Sequence, residues 1–202
     1  MKLVRFGYDI KVPLKNVILT ITGNGKMEYK ILSAFAEKYN GLQKVIWFPK
    51  TPFVKHRKTG LSVLDVVGII VSRYKIENFL YIVDKEHVSS YEEIRSYLEK
   101  KSVRDISLEG NILHGKYGLH KLMIYCAICG YSRRIEENIS KLISIRFNVE
   151  IQATKEKIRD FLKKRGISIR KLIKDATKNQ LRKSFQDLSN AIEHIEGHPN
   201  KN

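Results

Sequence analysis

Residues 17–39, VILTITGNGKMEYKILSAFAEKY, constrain the fold more than any other stretch of the chain. Six apolar or β-branched residues, Val17 to Thr22, have the composition of a buried strand. Gly23-Asn24-Gly25-Lys26 then turns the chain, and Met27, Ile31, Leu32, Phe35 and Ala36 recur at helical spacing on one face. A strand, a tight glycine loop and a helix form the unit by which a parallel α/β sheet delivers polar groups to the carboxyl end of a strand. Such folds place their sites there.

The downstream sequence repeats that unit. Val45–Phe48 is a second short strand, preceded by a helix stop at Asn40-Gly41 and ended by Pro49 and Pro52. Leu61, Leu64, Val67, Val71 and Tyr74 predict a well-buried helix over 61–74. Phe79–Val83 is the clearest strand, and Ser90 with Glu93 has capping-box spacing for a helix running to about Lys101. Val103–Glu109 predicts a fourth strand, residues 112–129 two more around a turn at Gly118, and Ser132–Ser144 a helix. Residues 1–16, with Pro13, suit an edge strand or an extended arm. The alternation predicts an α/β domain over residues 1–150, with a mostly parallel, layered sheet. From Thr154 the strand pattern stops, and residues 151–202 predict a basic helical extension of two or three helices, the first broken at Gly166.

Charge narrows the partners. Lys and Arg number 38 against 21 Asp and Glu, a net charge of +17. Such an excess favours a polyanion, nucleic acid before an acidic membrane surface, although a lysine-rich composition also accumulates without any ligand. Three groups of cations are candidate phosphate contacts. Lys50, Lys55, Arg57 and Lys58 share one polar loop, and Arg133 and Arg134 precede a helix. Lys163, Lys164, Arg165, Arg170 and Lys171 lie in the extension, where thirteen basic residues face six acidic ones. Each group also reads as a solvated surface. No run of eighteen apolar residues and no charged-then-apolar leader occurs, so neither a membrane span nor a secretory signal is expected. Two cysteines only, Cys126 and Cys129, suit a reducing cytoplasm. Their CxxC spacing lacks the second pair that a structural zinc needs, and a strand of apolar neighbours favours inert core thiols.

Two acidic groups follow predicted strands. Glu28 comes after the Val17 strand, and Asp84-Lys85-Glu86 after the Phe79 strand, with the two carboxylates of the latter on one side because side chains alternate. Carboxylate oxygens in such a setting suit Mg²⁺ or Mn²⁺. Lys26 and Lys85 flank the acids, either to hold a phosphate or to balance local charge.

At these residues the chain resembles a known family. The run Asn24-Gly25-Lys26-Met27-Glu28 after a hydrophobic strand resembles the opening of a Toprim domain, whose pattern there is E-G-x-x-D/E. FLYIVD followed by Lys85-Glu86 resembles the family's second motif, a hydrophobic strand ending in D-x-D. The likeness is to the OLD-nuclease-like or stand-alone small branch, where a later helix adds an acidic residue; Glu136 or Glu137 holds that place. It covers residues 15–145 and implies a Toprim/Rossmann-like sheet with phosphodiester chemistry dependent on Mg²⁺ or Mn²⁺. It also implies Asp84, Glu86 and Glu136 as metal ligands, with Glu28 and Lys26 in support. Asn24 stands where the family has its glutamate, and an amide exchanges no proton near neutral pH. Two readings follow: a metal-dependent nuclease, or a non-catalytic nucleic-acid-binding or assembly subunit, with a homodimer possible in either. A phosphate-binding Rossmann-like domain is disfavoured, because no G-x-G-x-x-G follows Ile21.

Overall fold

The computed structural model describes residues 1–5, 14–23, 26–39, 44–48 and 59–197. The chain runs β1 (Lys2–Arg5), a 3-10 turn (Leu14–Asn16), β2 (Val17–Ile21), α1 (Lys26–Lys38), β3 (Val45–Phe48) and a 3-10 segment (Gly60–Val66). It continues with α2 (Val67–Tyr74), β4 (Asn78–Asp84), α3 (Tyr91–Lys100), β5 (Val103–Glu109), β6 (Ile112–Tyr117) and β7 (His120–Cys129). Helices α4 (Ile135–Phe147), α5 (Lys155–Lys164), α6 (Ile169–Lys174), α7 (Lys178–Ser184) and α8 (Gln186–Ile195) complete it. The described strands form one seven-stranded sheet in the order β1-β3-β2-β4-β7-β6-β5. β1, β3, β2, β4 and β7 are mutually parallel, while β6 runs antiparallel between β7 and β5. The sheet is therefore mixed but mostly parallel, and the α/β expectation holds.

Side-chain alternation decides what each face buries. Ile18, Ile46, Leu80, Ile82, Tyr125 and Ala127 point to one face and share a core with α1, α4 and the helices beyond them. Leu19, Ile21, Phe79, Tyr81, Ile124 and Cys126 point to the other, covered by the 3-10 segment, α2 and α3. Covered on both sides, β2 is buried at every position, which is why VILTI reads as a continuous apolar run rather than an alternating one.

Four of the expected elements differ from what is found. The helix expected over 61–74 starts as 3-10: the Val67 N–H bonds to the Leu64 carbonyl, three residues back, and only from there does the wider helix run. Its Ile69 and Tyr74 are exposed rather than buried. Helix α4 begins at Ile135, not Ser132, because the Glu137 carboxylate takes the N–H groups of Tyr131, Ser132 and Arg133 at 2.6, 2.7 and 3.3 Å and holds them in a loop. Strand β5 lies at the far edge, and the meander β5-β6-β7 steps back toward β4.

The fourth difference concerns the C-terminal region, where the described residues 151–197 hold four helices rather than two or three, with Gly166 (φ +61°) closing α5 as expected. These helices pack into the core of the domain. Ile158, Leu162, Leu172, Ile173, Phe185 and Ile192 belong to the same core as Ile18 and Leu80, and α8 packs on β7. Asn111 and Asp187 knit this contact. Asn111 Nδ2 donates to the carbonyls of Cys126 and Asp187 at 2.7 and 2.9 Å, and the Ile128 N–H donates to Asp187 Oδ2 at 3.2 Å. The core is continuous across residue 150. No helix among the described residues is long and apolar enough to cross a membrane. The expected stop at Asn40-Gly41, Pro49, Pro52 and the loop cations Lys50, Lys55, Arg57 and Lys58 lie outside the described residues, as does Asn24.

Candidate functional site

Because β2 and β4 are adjacent and parallel, with Leu19 opposite Phe79 and Ile21 opposite Tyr81, their carboxyl ends open on the same edge of the sheet. The N-termini of α1 and α4 meet them there. The result is a cleft of about 480 Å³ whose acidic lining is Glu28, Asp84, Glu86 and Glu136. Lys26, Lys30, Arg134 and Lys155 supply its cationic rim. Glu28 and Glu136 sit in the first turns of α1 and α4, where helix dipoles favour negative charge.

Each acid is held differently. Asp84 Oδ1 accepts the Ile135 N–H at 2.9 Å, so the end of β4 caps α4, which lacks a side-chain cap of its own. Burial still raises the Asp84 pKa above its ordinary 3.8, with the Ile135 bond opposing and the Glu136 and Glu86 charges adding. Glu28 is only 9% exposed, and its Oε2 is buried without a hydrogen-bond partner among the described residues. Burial raises its pKa above 4.5, opposed by its own backbone N–H and reinforced by Asp84 and Glu136. Glu136 is 4% exposed, and its one ion pair among the described residues is with the Lys155 amine, at 3.6 Å. Glu86 lies at the mouth, with Arg134 Nε at 2.7 Å and His87 Nε2 at 3.7 Å from Oε1.

Gly130 makes this arrangement possible. Its φ is +94°, and a Cβ there would lie 2.5 Å from the Arg134 nitrogen. Only glycine lets the turn after β7 pass so close to the start of α4.

The structure separates the two acids that the sequence leaves as alternatives: Glu136 faces the cleft, while Glu137 is the staple of the 131–133 loop. Arg134 reaches the cleft and is engaged with Glu86. Arg133 does not line it, but its carbonyl accepts the Glu86 N–H at 2.9 Å. Lys163 and Arg170 line a neighbouring groove, whereas Lys164, Arg165 and Lys171 do not; Arg165 stacks over Phe147 and Phe161 instead. Lys30, Lys155 and Arg159 are the cations that sequence reasoning missed. Nothing in the spacing ties Lys155 to Glu136, since the pairing exists only once α5 folds back beside α4. Cys126 and Cys129 are buried free thiols whose pKa values burial pushes up, in keeping with core residues.

Glu28, Asp84 and Glu136 offer carboxylate oxygens, the donor type that a hard divalent cation takes, in one buried, mutually repelling group, and Glu28 Oε2 has no hydrogen-bond partner among the described residues. As the side chains stand, no three Asp, Glu, His or Cys among the described residues converge closely enough to share one ion. Searches against protein-family models, curated proteins and solved structures give no match to this chain.

Proposed function

We propose that this protein binds nucleic acid and uses the β2–β4 cleft for divalent-metal-dependent phosphodiester chemistry of the nuclease type, as the Toprim resemblance implies. The observation that supports this reading most is Glu28: a buried carboxylate with an oxygen that has no hydrogen-bond partner among the described residues, facing Asp84 and Glu136 at the strand ends. Left alone, such a group costs stability, and a cation is the partner that would offset the repulsion. Asp84, Glu28 and Glu136 are the residues that would hold Mg²⁺ or Mn²⁺ once side-chain rotation draws their oxygens together, since they do not converge on one point as they stand. When bound, the ion would supply charge stabilisation at a phosphoryl oxygen. Lys26, Lys30 and Arg134 stand at the rim, where a scissile phosphate would need neutralising.

A second reading, a nucleic-acid-binding subunit without catalysis, is favoured by Asn24 in the place of the family's glutamate and by the commitment of Asp84 to capping α4. One experiment separates the two. Mn²⁺ and Mg²⁺ are titrated calorimetrically into wild type, Glu28→Gln and Asp84→Asn, and the same proteins are assayed on a labelled oligonucleotide. The enzyme reading expects Mn²⁺ binding and metal-dependent scission in wild type, each weakened about tenfold or more by either substitution. Nucleic-acid binding with no metal binding leaves the non-catalytic reading, and scission that survives both substitutions places the chemistry elsewhere.

A further inference from the structure

The cleft opens directly into a second depression. Met27, Lys30, Glu136 and Lys155 line both, and beyond them a groove of about 1030 Å³ runs between α1 and the α5–α6 hairpin. Its floor is apolar, formed by Met27, Tyr29, Ile158, Leu162, Ile167 and Ile169. Its rim is mostly cationic: Lys30 from α1, Lys155, Arg159 and Lys163 from α5 and Arg170 from α6, against the two carboxylates Glu136 and Glu156. Helix spacing explains the division, since Ile158 and Leu162 turn inward on α5 while Arg159 and Lys163, one residue on from each, turn to the edge. Arg170 is anchored by an ion pair to Glu37 of α1, which holds α6 against the opposite wall.

We infer that this groove is the track of a single nucleic-acid strand entering the carboxylate cleft; the inference rests on the proposed function and names the form of its substrate. An apolar floor beside a row of cations matches a chain with phosphates along one side and exposed base faces along the other. A duplex matches only half of that description. It presents phosphates outward and keeps its bases stacked within, so it would engage the rim and leave the floor exposed to water. The shared wall at Lys30, Glu136 and Lys155 makes the track continuous with the carboxylates, so a strand lying in it delivers a backbone phosphate to the cleft. One wall of the groove, α5 and α6, lies outside the stretch that the Toprim resemblance covers.

The test is fluorescence anisotropy with labelled oligothymidylate and oligouridylate of about 15 nucleotides, and with a blunt duplex of the same length, without divalent metal so that nothing is cut. The single strands should bind wild type at least about tenfold more tightly than the duplex. Arg159→Glu with Lys163→Glu should weaken single-strand binding about tenfold and flatten the dependence of log affinity on log salt by roughly 1.4, at about 0.7 for each phosphate no longer neutralised. Lys100→Glu with Lys121→Glu changes net charge equally at exposed positions away from the groove and should do neither. Thermal melts establish that both double variants are folded. Equal affinity for strand and duplex, an equal loss in the two double variants, or displacement of the strand by oligoglutamate as readily as by itself would each overturn the inference. The outcome is distinct from that of the metal experiment. If Arg159→Glu/Lys163→Glu binds strand normally while Glu28→Gln loses Mn²⁺, the groove is wrong and the cleft stands. If the groove variant loses strand while wild type takes up no metal, the track stands without the chemistry.

Discussion

Glu28 shows how much of this site depends on one side chain largely withdrawn from water. Its carboxyl and that of Asp84 both have pKa values raised above the ordinary 4.5 and 3.8, chiefly by burial. The folded protein thus holds these protons more tightly than the unfolded chain does. Their contribution to stability is complete below the ordinary pKa values and is lost as pH rises through the raised ones. In the absence of divalent cations, Glu28→Gln should therefore melt at a higher temperature than wild type at about pH 8, with the gap closing as pH falls toward 4.5. Thermal melts across that range decide it. A gap independent of pH, or a variant less stable at the alkaline end, would show that Glu28 already has a satisfactory partner.

Among the elements, α4 is the one whose N-terminus assembles the site. It receives its cap from Asp84 on β4, its preceding loop is stapled by Glu137, and the whole turn is threaded through Gly130. Gly130→Ala forces a Cβ into the Arg134 backbone at a left-handed φ, and it should cost about 2–3 kcal/mol, or roughly 5–10 °C of Tm by differential scanning fluorimetry. The same substitution should weaken metal binding, since Glu136 and Ile135 are carried on the displaced turn. Sequence reasoning anticipated β2, α1, β4 and the acids beyond them because periodicity and strand-end position are local signals. It foresaw the start of α3 at Ser90, whose Oγ accepts the Glu93 N–H, but not that Glu93 would return to Ser89 rather than to Ser90. It placed α4 three residues early for a related reason: whether a glutamate caps a helix or staples the loop before it depends on side-chain rotamers, which residue spacing does not specify. The groove was illegible for a different reason. Lys30 and Arg159 are 129 residues apart in number, and only the folding of α5 back beside α4 brings them to one rim.

At the scale of the molecule, α8 packs on β7 while α5, α6 and α7 pack on α4 and α1, and together they complete the core that carries Ile18, Leu80, Ile82 and Ala127. A chain ending after Glu150 would expose the inner sides of these contacts on β7, α1 and α4 to water, and each large apolar side chain uncovered costs about 1.5–3 kcal/mol. Summed over several residues this exceeds the net stability of an ordinary domain. We expect the 1–150 fragment to be insoluble or to lack a cooperative melt by circular dichroism. A fragment that unfolds cooperatively above about 40 °C would show that the sheet and α1–α4 form a stable unit by themselves. The same arrangement has a consequence in time. Every strand of the sheet precedes α5–α8 in the chain, so during synthesis all seven strands leave the ribosome before the helices that complete the core on one side. At about 5–20 residues per second, the interval between completion of β7 and emergence of α8 is on the order of several seconds. Throughout it the apolar surfaces of β7, α1 and α4 that these helices cover stay open, so we expect soluble yield to depend on translation speed across residues 130–195.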